Sequence, residues 1–270
     1  MKDLKLGLKL FTNQLDLYKH KAIELWEQKK FSYIEVFVNP DQLNFLPDWE
    51  NFKNKYSIPF TIHAPQYSEG VNLSQKEFET ENKRIYAQVK DYAKALDVMY
   101  IVAHCGMDGT IEETVRQLNN IDLPAQVNVE NIPYCSRRHP NMYCQGSIVE
   151  EIEYVKNNTS CGFCLDIGHA FCSAVKLGFD QYKYMEKFNN LKPDCYHLSD
   201  GRINEKHDVH LHLPNGDYDW QRIMNILNSD KNMTLETILK SSSTLDDIQG
   251  FEQDVTYLNS LEHRIAQAIS

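Results

Sequence analysis

No stretch of about 18 consecutive apolar residues, the length a helix needs to cross a bilayer, occurs in this chain of 270 residues. No membrane partner is therefore expected. The N-terminus, MKDLKLGLKLF, places lysines between its apolar residues and lacks the pattern of a secretory signal. Positive charge is also short. The formal net charge is −10, which argues against broad, nonspecific binding to nucleic acid. The seven cysteines form no even set, and without an export signal they are expected to be reduced thiols in a cytoplasmic protein. Cys161-Gly162-Phe163-Cys164 has C-x-x-C spacing, but no second pair exists. In a strand, positions i and i+3 face opposite sides, which disfavours a zinc knuckle. No linker, repeat or low-complexity segment interrupts the chain, so residues 1–270 are expected to form a single domain.

What is present is alternation. Short apolar, β-rich runs cover Leu4–Leu10, Tyr33–Val38, Pro59–His63, Met99–His104, Gln126–Glu130, Gly162–Asp166, Cys195–Leu198 and Met233–Thr237. Helical stretches lie between them. Ser74-Gln75-Lys76-Glu77 reads as a capping box opening a helix toward Leu96. Ile248, Phe251, Val255, Leu258, Leu261 and Ile265 recur at helical spacing near the C-terminus. Eight strands alternating with helices predict an α/β fold, a (β/α)8 TIM barrel. A doubly wound open sheet is the alternative, which the count of eight disfavours.

In such a barrel the functional groups sit at the C-terminal ends of the strands. "PFTIHAP" ends at His63 and "YIVAHCG" at His104; "VNVENIP" carries Glu130. "GFCLDIGHAF" carries Asp166 and, three residues on, His169; "CYHLSDG" carries His197 and "TLETI" Glu236. The stretch "KHDVHLHLPNGDYDW" after the seventh strand adds Asp208 and His210, which project the same way in an extended segment. His207 and His212 are out of phase or one step further on, and Asp217 and Asp219 suit a turn and a helix cap before Trp220. Burying four carboxylates on one face is costly without cations, so the constellation predicts a metal site.

With these motifs the sequence resembles the endonuclease IV branch (AP endonuclease family 2) of the xylose isomerase-like TIM barrels, over about Leu4 to Leu239. The resemblance implies nine ligands for two or three divalent ions, zinc in the usual case, with manganese or iron also suited to these donors. His63, His104 and Glu130 correspond to the shell of the first ion, with Glu130 bridging. Asp166, His197 and Glu236 complete the second, and His169, Asp208 and His210 form the third. "GFCLDIGHAF" is close to a signature in which threonine and cysteine usually stand at the Ile167 and Gly168 positions.

The implied activity is hydrolysis of a phosphoester by metal-activated water, with Glu130, Glu236 and Asp208 as catalytic groups. Three divalent ions against four carboxylates leave a surplus near +2, which suits a phosphoryl group. The departures bear on the substrate. Gln66, followed by Tyr67, stands where the nuclease has a DNA-probing tyrosine; His197-Leu198-Ser199-Asp200 replaces H-x-N-D. "NPDQLNFLPDWENF" after the second strand is acidic and lacks arginine. The expected substrate is then a phosphorylated or sugar-containing small molecule, or damaged DNA in a smaller or single-stranded form. Gln66, Tyr67, Arg137 and Arg138 are candidate substrate contacts, and Tyr134 or Tyr143 a stacking platform. The alternative is a sugar or sugar-phosphate isomerase or epimerase of the same superfamily. It would use one ion on Glu130, Asp166, His197 and Glu236, with Glu130 and Glu236 moving protons beside a carbonyl.

Overall fold

A computed structural model describes residues 4–269, with side chains through Leu261. Eight strands close into one parallel barrel in sequence order. They are β1 Lys5–Phe11, β2 Tyr33–Phe37, β3 Phe60–His63, β4 Tyr100–His104, β5 Gln126–Glu130, β6 Gly162–Asp166, β7 Cys195–Leu198 and β8 Asn232–Leu235. β8 pairs with β1 and completes the ring. The helices are α1 Leu15–Glu27, α2 Leu46–Tyr56, α3 Glu79–Leu96, α4 Ile111–Leu118, α5 Val149–Asn158, α6 Ile167–Leu177, α7 Gln181–Asn189, α8 Trp220–Ile226 and α9 Asp246–Ile269. Among the described residues no helix is long and apolar enough to cross a membrane.

The sequence alternation explains the two faces of the ring. Leu4, just before β1, and the leucines at 6, 8 and 10 within it join one continuous apolar core with residues of the surrounding helices, such as Tyr18, Leu25, Phe251 and Leu258. The intervening positions face the barrel axis, where an added Cβ at Gly7 would run into the Tyr33 ring at 2.4 Å. The same period places Ile34 and Val36 in the core and leaves Tyr33, Glu35 and Phe37 for the interior. A second buried cluster, Tyr100, Val102, Cys164 and Cys195, fills part of the interior of the ring.

Strand boundaries fall within two residues of the sequence reading. The entry to α3 differs. Ser74 forms no capping box; its hydroxyl donates to Asn72 Oδ1 (2.8 Å) and to the Met107 carbonyl (3.0 Å). A single 3-10 turn, Lys76–Phe78, leads into a helix that starts at Glu79. The hydroxyl is drawn to the β4–α4 loop instead, a long-range partner the local motif cannot reveal. In α9 the residues Ile248, Phe251, Val255, Leu258 and Leu261 are buried as the spacing predicts; the side chain of Ile265 lies outside the described residues.

Candidate metal centre

The nine side chains come together at the C-terminal mouth of the barrel. Glu130, at the end of β5, is fully buried at the centre of the cluster. Its Oε2 is 3.1 Å from His63 Nε2, 3.0 Å from His104 Nε2 and 3.4 Å from His197 Nδ1. Its Oε1 is 3.1 Å from His169 Nδ1. Asp166 ends β6 and caps α6, accepting the His169 N–H at 2.6 Å, so strand and helix meet without a loop and set His169 beside Glu130. Glu236, just past β8, places Oε1 2.8 Å from His197 Nδ1. Asp208 Oδ2 lies 2.8 Å from His210 Nε2 and 3.4 Å from His169 Nε2.

Four histidines are aimed by an acceptor on the far ring nitrogen. A carbonyl oxygen can only accept, so Nδ1 of His63, His169 and His210 must donate to Ala64, Asn131 and Glu236 carbonyls at 2.8, 2.9 and 2.9 Å. In the neutral ring that leaves Nε2 as a lone pair, directed at Glu130 in His63 and at Asp208 in His169 and His210. His197 is turned the other way: Glu35 holds Nε2 at 3.2 Å, and Nδ1 faces inward. Such outer partners are the usual means of orienting metal-bound imidazole.

Segment 208–213 is held under constraint. His210 has a left-handed backbone, φ +47°, which costs a non-glycine residue of order 1–3 kcal/mol. The Asp200–Leu211 bridge, with hydrogen bonds of 2.8 and 2.9 Å, fixes one side of it. Asp254 of α9 fixes the other, accepting from His212 Nδ1 and the Leu213 N–H, both at 2.7 Å, and from the Thr237 hydroxyl at 2.8 Å. Asp200 further accepts the Gly216 N–H at 3.0 Å, and a Cβ at Gly216 would strike Asp200 Oδ1 at 2.1 Å. Asp217 lies in this turn, accepting from the Ile203 N–H, and Asp219 caps α8.

Three donor groups have ligand atoms within 4.8 Å of one another: His63, Glu130, His197 and Glu236; Glu130, Asp166 and His169; and His169, Asp208 and His210. The last matches the third shell implied by the resemblance. The others are divided differently. Glu35 turns His197 toward Glu236 and Glu130, the α6 terminus ties Asp166 beside His169, and His104 contacts Glu130 but belongs to none of the three.

The donor set fits divalent ions. Among the described residues four buried atoms in the cluster, Glu130 Oε1, Asp166 Oδ2, Asp208 Oδ2 and His197 Nδ1, have no hydrogen-bond partner, although imidazole or carboxylate groups stand within 3.4 Å of three of them. Close donors without hydrogen-bonding direction suit convergence on a cation. Burial pushes the Asp166 carboxyl up to about 7, and Asp208, Glu130 and Glu236 act in the same direction. Burial disfavours a charged His210, yet the Asp208 carboxylate overrides it and raises the imidazole to about 9. His169 is also raised, against burial, by Asp166 and then by Asp208 and Glu130, and His197 by Cys164 and then by Glu35, Glu236 and Glu130. Four carboxylates packed against these imidazoles favour a positive charge among them, while burial lowers His104; metal ligation would compete with protons for the same atoms.

A family model described as xylose isomerase-like TIM barrel matches residues 23–261. The chain belongs to that family. Among curated protein sequences none matches it. Similar solved structures include a D-tagatose 3-epimerase-like protein (16% identity, TM-score 0.72, covering 97% of this chain and 100% of that one). Endonuclease IV from Thermus thermophilus is similar at 18% identity and TM-score 0.69, over 96% and 99% of the two chains. The IOLI protein with a bound zinc atom follows at 16% and 0.64, over 96% of each. At these identities the likeness is one of fold.

Within this xylose isomerase-like barrel, a cavity of about 1000 Å³ opens above the cluster, lined in part by Gln66, Tyr67, Arg137 and Arg138. Both arginines are exposed, with no ion pair among the described residues. Tyr134 and Tyr143 do not line it; their rings pack on each other, 5.0 Å apart. Tyr67 and His139, 5.1 Å apart and both lining the cavity, are the aromatic groups placed there instead. The loop after β2 stays outside it, with Asp41 paired to Arg84 of α3. His207 is absent from the cavity and His212 faces α9. Two charged residues escaped the sequence reading: Glu35 on β2, fully buried, and Lys9 on β1, in contact with Glu236. Their signal was a charge inside an apolar strand, in "YIEVF" and "GLKLF", two residues before the strand end.

Proposed function

We propose that this protein is a divalent-metal-dependent phosphoester hydrolase acting on a substrate small enough for the 1000 Å³ cavity. One observation carries the reading: two complete donor groups share no residue, His63–Glu130–His197–Glu236 and His169–Asp208–His210, and the Glu130–Asp166–His169 group joins them. A donor set of this size exceeds what one tetrahedral or octahedral ion requires. Two or three ions would be held, zinc being suited to the imidazole-rich shells. When bound, such ions supply acidified water and charge stabilisation for a phosphoryl group.

The chain's own residues do the rest. Glu130 and His169 tie the groups into one unit. Asp208 and His210, on their braced segment, line the same cavity as Arg137 and Arg138. Arg137 and Arg138, exposed at the mouth, offer forked donors to phosphate oxygens. Damaged DNA fits this class only in a short or single-stranded form, because the β2–α2 loop lies outside the cavity and brings no cation to a duplex backbone.

One feature favours a second reading, a sugar or sugar-phosphate isomerase or epimerase. Glu130 and Glu236 stand side by side in a single buried group that suffices for one ion, where both could exchange protons with a bound carbonyl compound. Elemental analysis, anomalous diffraction and an assay panel separate the two. The hydrolase reading expects two or three ions per chain and phosphoester cleavage. Asp208→Asn and His210→Ala should lower cleavage by about two to three decades while the fold is kept. One ion per chain, with sugar interconversion and no phosphoester cleavage, would establish the isomerase instead.

A further inference from the structure

Lys9 is a buried cation in the mouth of the barrel. In "KLGLKLF" the leucines turn outward to the helices and Lys9 turns inward, 5% exposed. Its ammonium contacts Glu236 Oε1 and stands over the Phe37 ring, 5.6 Å from the centroid. Taking an ammonium out of water costs several kcal/mol before any pairing. An apolar side chain of similar size would fill the space without that cost, so packing does not explain the residue. Neutralising Glu236 is no sufficient explanation either, because His197 and the donor group around it already face that carboxylate.

The position is informative. Lys9 lines the cavity together with Phe11 and Phe37. It stands at the junction between an aromatic wall and the His63–Glu130–His197–Glu236 group. A lysine ammonium has three N–H donors. Glu236 is its hydrogen-bond acceptor, and no other acceptor bonds to it among the described residues. The Phe37 face and the contact with Glu236 fix where the remaining donors lie.

We propose that Lys9 is a substrate-contact residue: Glu236 and Phe37 position its ammonium so that the free donors bind an anionic oxygen of the substrate beside the donor group. The inference rests on the phosphoester reading and assigns the cation that grips the phosphoryl oxygen on the β1 side, opposite the arginine rim. The probe is inorganic phosphate, titrated calorimetrically into metal-loaded protein freed of excess metal, with metal content and melting temperature measured on the same samples. Lys9→Met should keep the metal content and weaken phosphate binding at least about tenfold, the value of one charge-assisted hydrogen bond. Lys9→Gln retains a donor toward Glu236 and should show the same loss if Lys9→Met fails to fold. Wild-type phosphate affinity in metal-replete variants would overturn the assignment and leave the hydrolase reading standing. Loss of metal from both variants would make Lys9 part of the ligand scaffold and also overturn it. A multi-ion wild type that binds no phosphate would overturn both readings together.

Discussion

Replacing Asp254 tests whether a residue remote from the cluster holds part of it in shape. Asp254 is fully buried on α9, and among the described residues its hydrogen-bond partners include none of the nine candidate ligands. Its carboxylate accepts from His212, from the Leu213 N–H and from the Thr237 hydroxyl, all at 2.7–2.8 Å. In Asp254→Ala the last two donors are stranded in buried surroundings, at about 1–3 kcal/mol each. The partly exposed His212 regains water, and removing a buried carboxylate recovers some desolvation. A net loss of about 3–5 kcal/mol is expected, or roughly 10 °C in melting temperature for a chain of this size. The second effect is local. With its downstream anchor gone, His210 can relax from its φ of +47°, and the His169–Asp208–His210 group must be reassembled on binding an ion. Outer-shell losses of this kind typically weaken a metal site by about 10–100-fold. Thermal melts with a competitive chelator titration measure both, and Asp254→Asn, which keeps the shape and one acceptor, should fall between. An Asp254→Ala protein with unchanged melting temperature and unchanged metal affinity would refute the brace.

Two further outcomes are expected. Glu35→Gln removes the charge behind His197 Nε2 and should weaken the ion held by His63, Glu130, His197 and Glu236 by about 10–100-fold, read by the same titration; an unchanged affinity would reduce Glu35 to space filling. Burial raises the Glu151 carboxyl even though it accepts the Gly146 N–H at 2.6 Å. A carboxyl raised on folding favours the protonated form, so its charge costs stability above the folded-state value and costs nothing once pH falls below the ordinary carboxylate range. Glu151→Gln should therefore melt higher than wild type near about pH 7, with the gap closing near about pH 4; equal melting temperatures at both would refute the argument.

Much of this architecture is written locally. The leucine period of β1 and the β-rich runs ending at His63, His104, Glu130 and Asp166 are properties of single strands. Parallel strands buried on both faces show as near-continuous apolar runs, and the polar residue at each end marks the mouth. Asp166 and His169 are three residues apart across a strand–helix junction, so their proximity was legible too. What adjoins what across the barrel was not. Lys9 and Glu236 are 227 residues apart and meet because β8 closes on β1. Glu35 reaches His197 across the axis, 162 residues away, and Asp254 reaches back from α9 to Leu213 and Thr237. Ser74 reads as a cap until a carbonyl of the β4–α4 loop takes its hydroxyl. Sequence alone determined which chemistry is present and at which end of each strand, because side-chain period and strand direction are local. The tertiary structure decided how the donors divide into groups, which charges face one another and which residues reach the cavity, because those depend on closure of the ring.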